Sequence, residues 1–381
     1  MALVRGVMVL TLNSGSSSLK WGVHHIDALH CETLFASCVA AADNNRPCDD
    51  IATHIVDNRL PAVDAIGHRL VHGGPTLRQP CRIDDAVLLQ LDEASHFAPL
   101  HLPCALQLIR AARQHFQDVP QVACFDTSFH AHLPDVARVL PLARELQLDG
   151  LQRYGFHGLS CQSIVYQLGA DVPARVVIAH LGNGASITAV RNGVSVDTSM
   201  GLTPMGGVVM GTRSGDLDPG VLLYLMRVGQ LDVGALEALL NQRSGLLGVS
   251  GVSGDLRQLH AAAGTNAAAV LAIEMFCQSV FKQIAAMIAV LDGLDLLIFT
   301  GGIGENDAAV RAAICRGLGW IGIQLDPLRN HAAGSALPGT IIGPIHASAS
   351  RCEVRVLAAQ EDAQIARLTW ALLHNPAAIA S

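Results

Sequence analysis

The sequence has little of what marks several large classes of protein. Positive charge is not in excess, because 25 Lys and Arg stand against 32 Asp and Glu for a formal net charge of −7. This balance argues against a protein that binds nucleic acid or an anionic membrane surface. The ten cysteines include no Cys-x-x-Cys pair and therefore predict no zinc or redox motif. We expect free thiols in a reducing cytoplasm.

Long hydrophobic runs and a leader are also missing. No apolar run reaches the roughly 18 residues that span a bilayer, and the helix-like stretch at 275–291 is interrupted by Lys282. The N-terminus lacks the layout of a signal peptide with a small-residue cleavage site. We therefore expect a cytoplasmic protein with no membrane partner. Hydrophobic residues nevertheless make up 50% of the 381 residues, which is enough for two sizeable cores.

An apolar strand, a turn of small hydroxyl residues and a second strand open the chain at residues 9–23. Small residues allow a phosphate group to approach the backbone N–H groups, and Lys20 would add a mobile positive charge. The alternative is an ordinary β-hairpin turn, because Asn, Gly and Ser favour turns for local reasons. This segment alone leaves both interpretations open.

A similar pattern returns twice along the chain. Residues 175–190 again indicate strand, glycine turn and strand, and the strand at 294–300 leads through the glycines of 301–306 into a helix-like segment. A glycine turn at a helix N-terminus suits an anion. Strands that alternate with helices predict the α/β class, and the two hairpins predict a duplicated fold that holds a nucleotide. We expect a change of domain near Asp149 and Gly150.

Two further segments carry residues suited to phosphoryl transfer. Arg213 lies in a glycine-rich loop with Asp216 and Asp218 nearby, where a guanidinium could bind the oxygens of a phosphoryl group in transfer. The alternative is an Arg–Asp ion pair that holds the loop. His157 precedes a glycine and could donate a hydrogen bond to the same phosphoryl group. The alternative is a structural histidine.

Carboxylates and one more arginine complete the candidates. Asp126 follows a strand, where open α/β sheets place ligands, but it could equally cap the next segment. Arg69 could hold an anionic substrate or pair with an internal carboxylate. Glu361 and Asp362 could support Mg²⁺ through waters or lie on a solvated helix face.

Together these segments resemble the acetate kinase family, within the superfamily of acetate and sugar kinases, heat-shock chaperones and actin. The resemblance runs from Val9 to about Arg367. Its eight ordered motifs are Asn-Ser-Gly-Ser-Ser-Ser-Leu-Lys (13–20), Gly-His-Arg-Leu-Val-His-Gly-Gly (67–74), Ala-Pro-Leu-His (98–101), Phe-Asp-Thr-Ser-Phe-His (125–130), Arg-Tyr-Gly-Phe-His-Gly (153–158), His-Leu-Gly-Asn-Gly (180–184), Met-Gly-Thr-Arg-Ser-Gly-Asp-Leu-Asp-Pro (210–219) and Phe-Thr-Gly-Gly-Ile-Gly-Glu-Asn (299–306).

The resemblance implies an α/β fold of two domains with duplicated ribonuclease-H-like, or actin-like ATPase, topology and a cleft between them. The N-terminal domain would comprise residues 1–149 and about 363–381. The C-terminal, nucleotide-binding domain would comprise residues 150–362. The resemblance also implies a homodimer and Mg²⁺ as cofactor, with Mn²⁺ as an alternative metal.

By the same match, the family's functional residues have counterparts in this chain. The catalytic residues would be Asp126, His157 and Arg213. Acetate would be bound by Arg69, Val71, Leu100, His101, Phe156 and Pro204. ATP or ADP would be bound by Lys20, His180, Leu181, Gly182, Asn183, Gly184, Asp255, Leu256, Arg257, Gly302, Ile303, Gly304, Glu305 and Asn306. The metal ligands would be Asn13 and Glu361.

The implied reaction is the reversible, direct in-line transfer of a phosphoryl group from MgATP to acetate, which yields ADP and acetyl phosphate. Propionate is the alternative acceptor, because an apolar pocket disfavours one more methylene by only about 1–3 kcal/mol. A non-catalytic nucleotide sensor on the same fold is an alternative from another class. The joint presence of Arg69, Asp126 and His157 with Arg213 favours the enzyme.

Overall fold

The computed structural model describes residues 6–15, 18–40, 47–333 and 343–374. The chain divides into two compact units. Unit 1 comprises Met1–Ala131, Phe156–Ser163 and Gln360–Ser381, and unit 2 comprises His132–Gly155 and Ile164–Ala359. In this division the predicted change of domain at 149–150 falls inside unit 2.

Groups of strands and groups of helices follow one another along the chain. The strands are β1 (Val7–Ser14), β2 (Ser18–Ile26), β3 (Cys31–Ala40), β4 (Ala65–Leu70), β5 (Cys81–Arg82), β6 (Gln121–Phe125), β7 (Arg175–Leu181), β8 (Ala185–Arg191), β9 (Val194–Thr198), β10 (Leu296–Thr300) and β11 (Glu353–Val356). The helices are α1 (Pro47–Asp57), α2 (Asp85–Glu93), α3 (Leu102–His115), α4 (Asp135–Arg138), α5 (Gly158–Leu168), α6 (Pro219–Arg227), α7 (Val233–Gln242), α8 (Gly245–Ser250), α9 (Leu256–Ala262), α10 (Ala267–Leu291), α11 (Gly301–Asn306), α12 (Ala308–Gly317), α13 (Pro327–Ala333) and α14 (Glu361–His374).

Unit 1 is built on a six-stranded mixed sheet in the order β3-β2-β1-β4-β6-β5. Strands β1, β2 and β3 form an antiparallel meander. Strand β4 runs parallel to both β1 and β6. The hairpin predicted at the N-terminus is present, and Gly15 N–H donates to Ser18 C=O at 2.8 Å. Ser16 and Ser17, which belong to the predicted phosphate turn, lie outside the described residues.

The alternation of side chains along β1 sorts them onto two faces of this sheet. Leu10 and Leu12 face α1 and α3, where they join a cluster that includes Ile51 and Leu108. Val9 lies on the opposite face in a cluster with residues of α14. Odd-numbered residues of β1 therefore face α14.

Helix α14 packs closely on this second face. A Cβ atom at Gly67 of β4 would collide with Thr369 Oγ1 and Ile365 Cγ2, so glycine is required for this approach. Val122 of β6 packs on Ile365 and Leu368. The C-terminal helix thus completes the core of unit 1, and this packing fixes where its first turn lies.

Unit 2 repeats the plan with five strands in the order β11-β10-β7-β8-β9. Strands β7, β8 and β9 form an antiparallel meander. Strand β10 runs parallel to β7 and to β11. This order corresponds strand for strand to β6-β4-β1-β2-β3 of unit 1. The predicted duplicated α/β fold is confirmed.

Helix α10 corrects one expectation. It has 25 residues and an 18-residue window of mean hydropathy 1.3, which is long and apolar enough to cross a membrane. The expectation was wrong because a single lysine leaves the window predominantly apolar. Its buried residues include Ala272, Phe276, Val280 and Ile284, and it packs on β7 and β8. This spacing is typical of a core helix, so this one helix among the described residues is weak evidence for a membrane.

Candidate active site

Three parallel strands of unit 1 end side by side, each followed or closed by a polar residue. The register places Thr11 of β1 beside Gly67 of β4, so that Asn13 and Arg69, two positions further along each strand, are neighbours. Asp126 continues β6 on the same face. Because alternate residues share a face, all three point to the α14 side at the carboxyl edge of the sheet, where open α/β sheets bind ligands.

Arg69 and Asp126 form a buried ion pair. Arg69 Nη2 lies 2.6 Å from Asp126 Oδ2, and their side chains are 15% and 2% exposed. Arg69 Nε lies 3.2 Å from Oδ1 and 3.1 Å from Oδ2. Arg69 Nη1 donates to Asn13 Oδ1 at 3.3 Å and to Ser14 C=O at 3.4 Å. The carboxylate thus orients the guanidinium through two of its three nitrogens.

Opposing effects act on the protonation of this pair. Burial raises the pKa of the Asp126 carboxyl and Glu361 adds to the rise, whereas Arg69 lowers it. Burial lowers the pKa of Arg69, but Asp126 and Glu361 outweigh burial and raise it above its ordinary value. The short bidentate contacts between the two side chains favour the ionised form of both groups.

The first turn of α14 brings two more carboxylates to the same edge. Asn13 Nδ2 donates to Glu361 Oε2 at 3.2 Å and to Asp362 Oδ1 at 2.9 Å. Burial and the neighbouring Glu361 raise the pKa of Asp362. The hydrogen bond from Asn13 and the positive charge of Lys20 lower this pKa by a smaller amount, so that it lies above its ordinary value. Lys20 pairs with Asn13 across the hairpin and is exposed. The edge therefore carries more negative than positive side chains.

This donor set fits Mg²⁺ that is also bound to substrate phosphates. Mg²⁺ is usually held by one or two carboxylates together with waters and phosphate oxygens, not by a cage of protein ligands. Glu361 and Asp362 supply such carboxylates, and burial together with the neighbouring Glu361 raises the pKa of Asp362. The described part of the chain contains no group of three or more His, Cys, Asp or Glu arranged to hold a metal.

A tight turn ties His157 to the end of β6. Gly158 N–H donates to Asp126 C=O at 2.8 Å, and a Cβ atom at Gly158 would collide with the same oxygen. His157 itself has a φ of 58°, a left-handed conformation that is uncommon for residues other than glycine. Such conformations cluster at functional sites. His157 is 9% exposed.

The residues expected to bind the acyl group differ in burial. Val71 and Phe156 are 8% and 1% exposed, whereas Leu100 is 46% exposed. The ring centroid of His72 lies 5.7 Å from that of Phe156, which links the Val71 segment to Phe156. His101 precedes α3 and makes no side-chain cap bond. Val71 and Phe156 thus belong to packed structure, and Leu100 does not.

Arg213 and Pro204 both lie in unit 2, where Arg213 Nη1 donates to Pro204 C=O at 3.2 Å. The two aspartates near Arg213 bind backbone groups. Asp216 Oδ1 accepts from Gly207 N–H at 2.6 Å, and Asp218 caps α6 by accepting from Gly220 N–H at 2.9 Å. Each aspartate therefore has a local role in the loop or the helix.

A cavity of about 880 Å³ in unit 2 collects most of the residues expected to bind ATP. Its volume lies in the range of small-molecule sites. The expected residues that line it are Gly182, Asn183, Asp255, Leu256, Arg257, Gly302, Ile303 and Asn306. The expected residues of unit 2 outside this lining are His180, Leu181, Gly184, Gly304 and Glu305. Lys20 belongs to unit 1.

Several lining residues were missed by sequence analysis. They are Gly254, His260, Asp307, Ala308, Ala309 and His331. Helical spacing could have identified His260, which lies one turn after Arg257 in α9. Asp307 directly follows a predicted motif. No comparable pattern in the sequence points to His331.

Glu305 and Arg311 hold the glycine loop in place. Glu305 Oε1 accepts from Gly301 N–H and Ala359 N–H, both at 2.9 Å. Arg311 is fully buried and donates to the C=O groups of Gly304 and Glu305, both at 2.9 Å. Burial lowers the pKa of Arg311 to about 10. Glu305, expected to bind ATP, therefore has a structural role in this arrangement.

The duplicated sheets, the arginine–carboxylate edge of unit 1 and the nucleotide-sized cavity of unit 2 define a phosphotransferase of the actin-like ATPase fold. The sequence model of the Acetokinase family matches residues 41–367. The chain belongs to this family, as the motifs predicted.

Individual relatives agree with this membership. An acetate kinase from Thermosynechococcus vestitus is 46% identical over 335 residues, which cover 85% of this chain and 78% of that protein. A crystal structure of a propionate kinase from Francisella tularensis superposes with a TM-score of 0.84 at 34% identity, over 96% of this chain and 99% of the other. The acetate kinase of Porphyromonas gingivalis superposes with a TM-score of 0.82 at 32% identity, over 96% and 100%.

Proposed function

We propose that this protein is an acetate kinase that transfers a phosphoryl group reversibly between ATP and acetate. Membership of the Acetokinase family supports this activity. The single structural observation that carries it is the strand edge of unit 1, where a buried arginine is held by Asp126 beside Asn13 and the carboxylates of α14. Such an edge can bind a small anion and a metal together.

Arg69 binds the carboxylate of acetate in this mechanism. Acetate is already ionised at neutral pH, so no base has to remove a proton from it. Asp126 is fully engaged with Arg69 through short bonds and therefore orients the guanidinium instead of abstracting a proton. The positive charge of Arg69 also reduces the repulsion between acetate and the phosphates of ATP.

Charge on the transferring phosphoryl group is the main demand on the protein. Arg213 offers a guanidinium whose planar donors match phosphoryl oxygens. His157, fixed in its left-handed turn, donates a further hydrogen bond. Preorganised donors of this kind typically contribute factors of about 10²–10³ each to the rate.

Mg²⁺ is the proposed cofactor, and Mn²⁺ would serve as a substitute. Asn13 and Glu361 would hold it, with Asp362 close by. When bound, the metal neutralises phosphate charge. Lys20 would bind the phosphates of ATP from the same hairpin.

The identity of the carboxylic acid that accepts the phosphoryl group has two candidates, acetate and propionate. Val71 and Phe156 of unit 1 are proposed to contact the methyl group of acetate, and the family match gives Pro204 the same role. Leu100 is half exposed, so a longer acyl chain would meet less resistance on that side. The Francisella tularensis neighbour is a propionate kinase, which makes propionate the second candidate.

A homodimer is proposed through α6 and α7. Within unit 2 as described, neither helix contains a buried residue. Large apolar side chains are exposed along them, among them Val221, Leu223, Tyr224, Met226 and Val233. An exposed apolar surface of this extent is typical of a protein–protein interface. Because the family resemblance implies a homodimer, we propose that a second copy of this chain covers it.

Light scattering should give the mass of a dimer for the wild type and of a monomer for Tyr224→Glu. Tyr166→Glu, a matched change of an exposed tyrosine outside these helices, should stay dimeric, and a monomeric wild type would refute the interface.

One experiment tests the activity itself. Initial rates are measured with acetate, propionate and butyrate at fixed MgATP, and hydroxylamine traps the acyl phosphate. We expect the highest kcat/KM with acetate, a lower value with propionate and little product from butyrate. Arg69→Ala, run in parallel, should raise the KM for acetate more than the KM for ATP. Nucleotide binding without trapped product from any acid would favour the sensor instead.

A further inference from the structure

Arg153 holds the backbone that follows β9. Its Nη1 donates to the C=O groups of Thr198, Ser199 and Met200 at 2.9, 3.4 and 3.3 Å. These three residues are buried, and a buried C=O group needs a donor. Because one nitrogen serves all three carbonyls, their bonds depend on the place of a single guanidinium. Arg153 therefore fixes the path of the chain directly after β9.

Arg153 is itself anchored within unit 2. Its Nε donates to Ala137 C=O at 3.0 Å. The two residues that follow it both donate their N–H groups to Gly201 C=O, Tyr154 at 3.0 Å and Gly155 at 3.4 Å. The side chain of Arg153 and the backbone beside it therefore hold consecutive residues of the segment after β9.

The far end of the same loop is fastened to Asp216. Gly207 N–H donates to Asp216 Oδ1 at 2.6 Å, and Asp216 N–H donates to Gly207 C=O at 2.9 Å. Gly207 has a φ of 91°, and a Cβ atom there would come within 2.9 Å of Ser199 Oγ. The two ends of the loop therefore lie against each other, and Pro204 lies between them in the sequence.

Arg213 is bound to the middle of this loop. Arg213 Nη1 donates to Pro204 C=O at 3.2 Å, and Met210 N–H donates to Arg213 C=O at 3.1 Å. The bond to Pro204 ties the guanidinium to the loop, so its direction depends on where the loop places that carbonyl. A chain of contacts thus leads from Arg153 through residues 198–204 to Arg213.

We propose that Arg153 is a positioning residue for phosphoryl transfer, which acts by placing the Pro204 carbonyl that orients Arg213. This inference rests on the proposed role of Arg213 at the transferring phosphoryl group. Arg153 has no role among the expected site residues. A displacement of about 1 Å at a reacting centre can cost about 10²-fold in rate. Arg153 needs no contact of its own with the substrate for such an effect.

The test is a double-mutant cycle of Arg153→Ala and Arg213→Ala, with kcat measured by hydroxylamine trapping at saturating MgATP and acetate. Arg153→Ala alone should lower kcat about 10- to 100-fold. The KM values for ATP and acetate should change little, because Arg213 acts on the transition state. In the Arg213→Ala background, Arg153→Ala should lower kcat further by less than about threefold, because two residues that act as a unit are not additive.

Two more variants separate positioning from general stability. Arg153→Lys, whose ammonium can still donate to the loop carbonyls, should lose less kcat than Arg153→Ala. Arg175→Ala is the matched control, because Arg175 pairs with Asp295 at 2.6 Å and donates to Asp292 C=O at 2.9 Å, outside residues 198–207. It removes structural contacts from the same unit and should leave kcat unchanged. Thermal melting checks that each variant is folded, and Arg153→Lys replaces Arg153→Ala in the cycle if the latter is not.

The outcomes separate this inference from the proposed function. Equal fold losses of kcat from the Arg153 substitution with and without Arg213 overturn the inference, while the role of Arg213 stands. An unchanged kcat in folded Arg153→Ala overturns it as well. A loss below about tenfold in Arg213→Ala contradicts the role of Arg213 and this inference with it. A wild type that yields no acyl phosphate refutes the proposed function, on which both depend.

Discussion

The two units share one strand plan but use the carboxyl edge of their sheets differently. In unit 1 the ends of β1, β4 and β6 carry charged and amide side chains, and Arg69 and Asp126 are buried there as an ion pair. In unit 2 the corresponding ends of β7 and β10 lead into glycines, and the cavity beside them is lined partly by backbone. The same topology therefore carries a charged strand edge in one unit, which we propose as the anion and metal site, and an open cavity in the other, which we propose as the nucleotide site.

This difference shows which features the fold supplies and which the side chains supply. The topology brings parallel strand ends together in both units. Whether a strand end becomes a charged cluster or an open cradle depends on the one or two residues that follow each strand. Unit 1 depends on buried charges that need partners, whereas unit 2 depends on small residues that leave space.

Arg213 offers the most severe test of this comparison, because it is a charged group proposed for catalysis within unit 2. Arg213→Ala should lower kcat by roughly 10²–10⁴, since charge on the phosphoryl group loses a guanidinium. Steady-state rates with MgATP and acetate measure the effect. Arg191→Ala removes an arginine of the same unit that binds only the carbonyl of Val290 in the described contacts and should leave kcat unchanged. A loss below tenfold would contradict the role of Arg213.

Unit 1 should lose the most stability when its ion pair is broken. Arg69→Ala leaves the Asp126 carboxyl buried without its cation, which should lower the free energy of unfolding by about 3–5 kcal/mol. Urea unfolding measures the change. Arg110→Ala breaks an ion pair with Asp92 whose side chains are each 47% exposed and should cost less than about 1 kcal/mol. Equal losses in the two variants would show that burial does not matter here.

Unit 1 should also be sensitive to acid. Burial lowers the pKa of His24, His68 and His130 to about 4 in each case. The unfolded chain takes up these protons near pH 6.5 and the folded chain only near pH 4, so stability falls as pH drops through that window. Each histidine should contribute up to about 3 kcal/mol to this loss.

His68→Leu tests the acid sensitivity. In this variant, the free energy of unfolding is measured with urea at several values between pH 7 and pH 4. Its dependence on pH should correspond to the uptake of one proton fewer on unfolding than in the wild type. His30→Leu, which changes a histidine with a 78% exposed side chain, should keep the wild-type slope. The prediction fails if His68→Leu does so too.

The smallest expected effect concerns the metal. Glu361→Gln keeps the shape of the side chain but weakens a carboxylate ligand, so the Mg²⁺ concentration for half-maximal rate should rise about tenfold. A titration with Mg²⁺ at fixed ATP measures it. Glu353→Gln removes a carboxylate of unit 2 that pairs with Arg355 and should change nothing. An unaltered Mg²⁺ requirement in Glu361→Gln would move the metal away from α14.

Much of the fold could be predicted because its signals are local. Apolar runs interrupted by glycine turns predicted both hairpins, and their similarity predicted the duplication that the sheets confirm. Lys282 was expected to keep α10 below the hydropathy of a membrane-spanning helix, which was wrong because one lysine leaves the helix predominantly apolar. Its buried face, which packs on β7 and β8, is what the local composition does not reveal. The roles of Asp126 and Glu361 remain predictions, but their neighbours are now defined.

The sequence by itself determined the class, the duplicated plan and the family, because these depend on residue types at short spacing. Only the tertiary structure decided which residues meet. Asn13 touches Glu361 and Asp362 across nearly the whole length of the chain, because α14 returns to pack on β4 at Gly67. Likewise His260 meets Asp307 only because two helices of unit 2 border one cavity. Contacts of this kind depend on packing between distant segments, which no local pattern of residues contains.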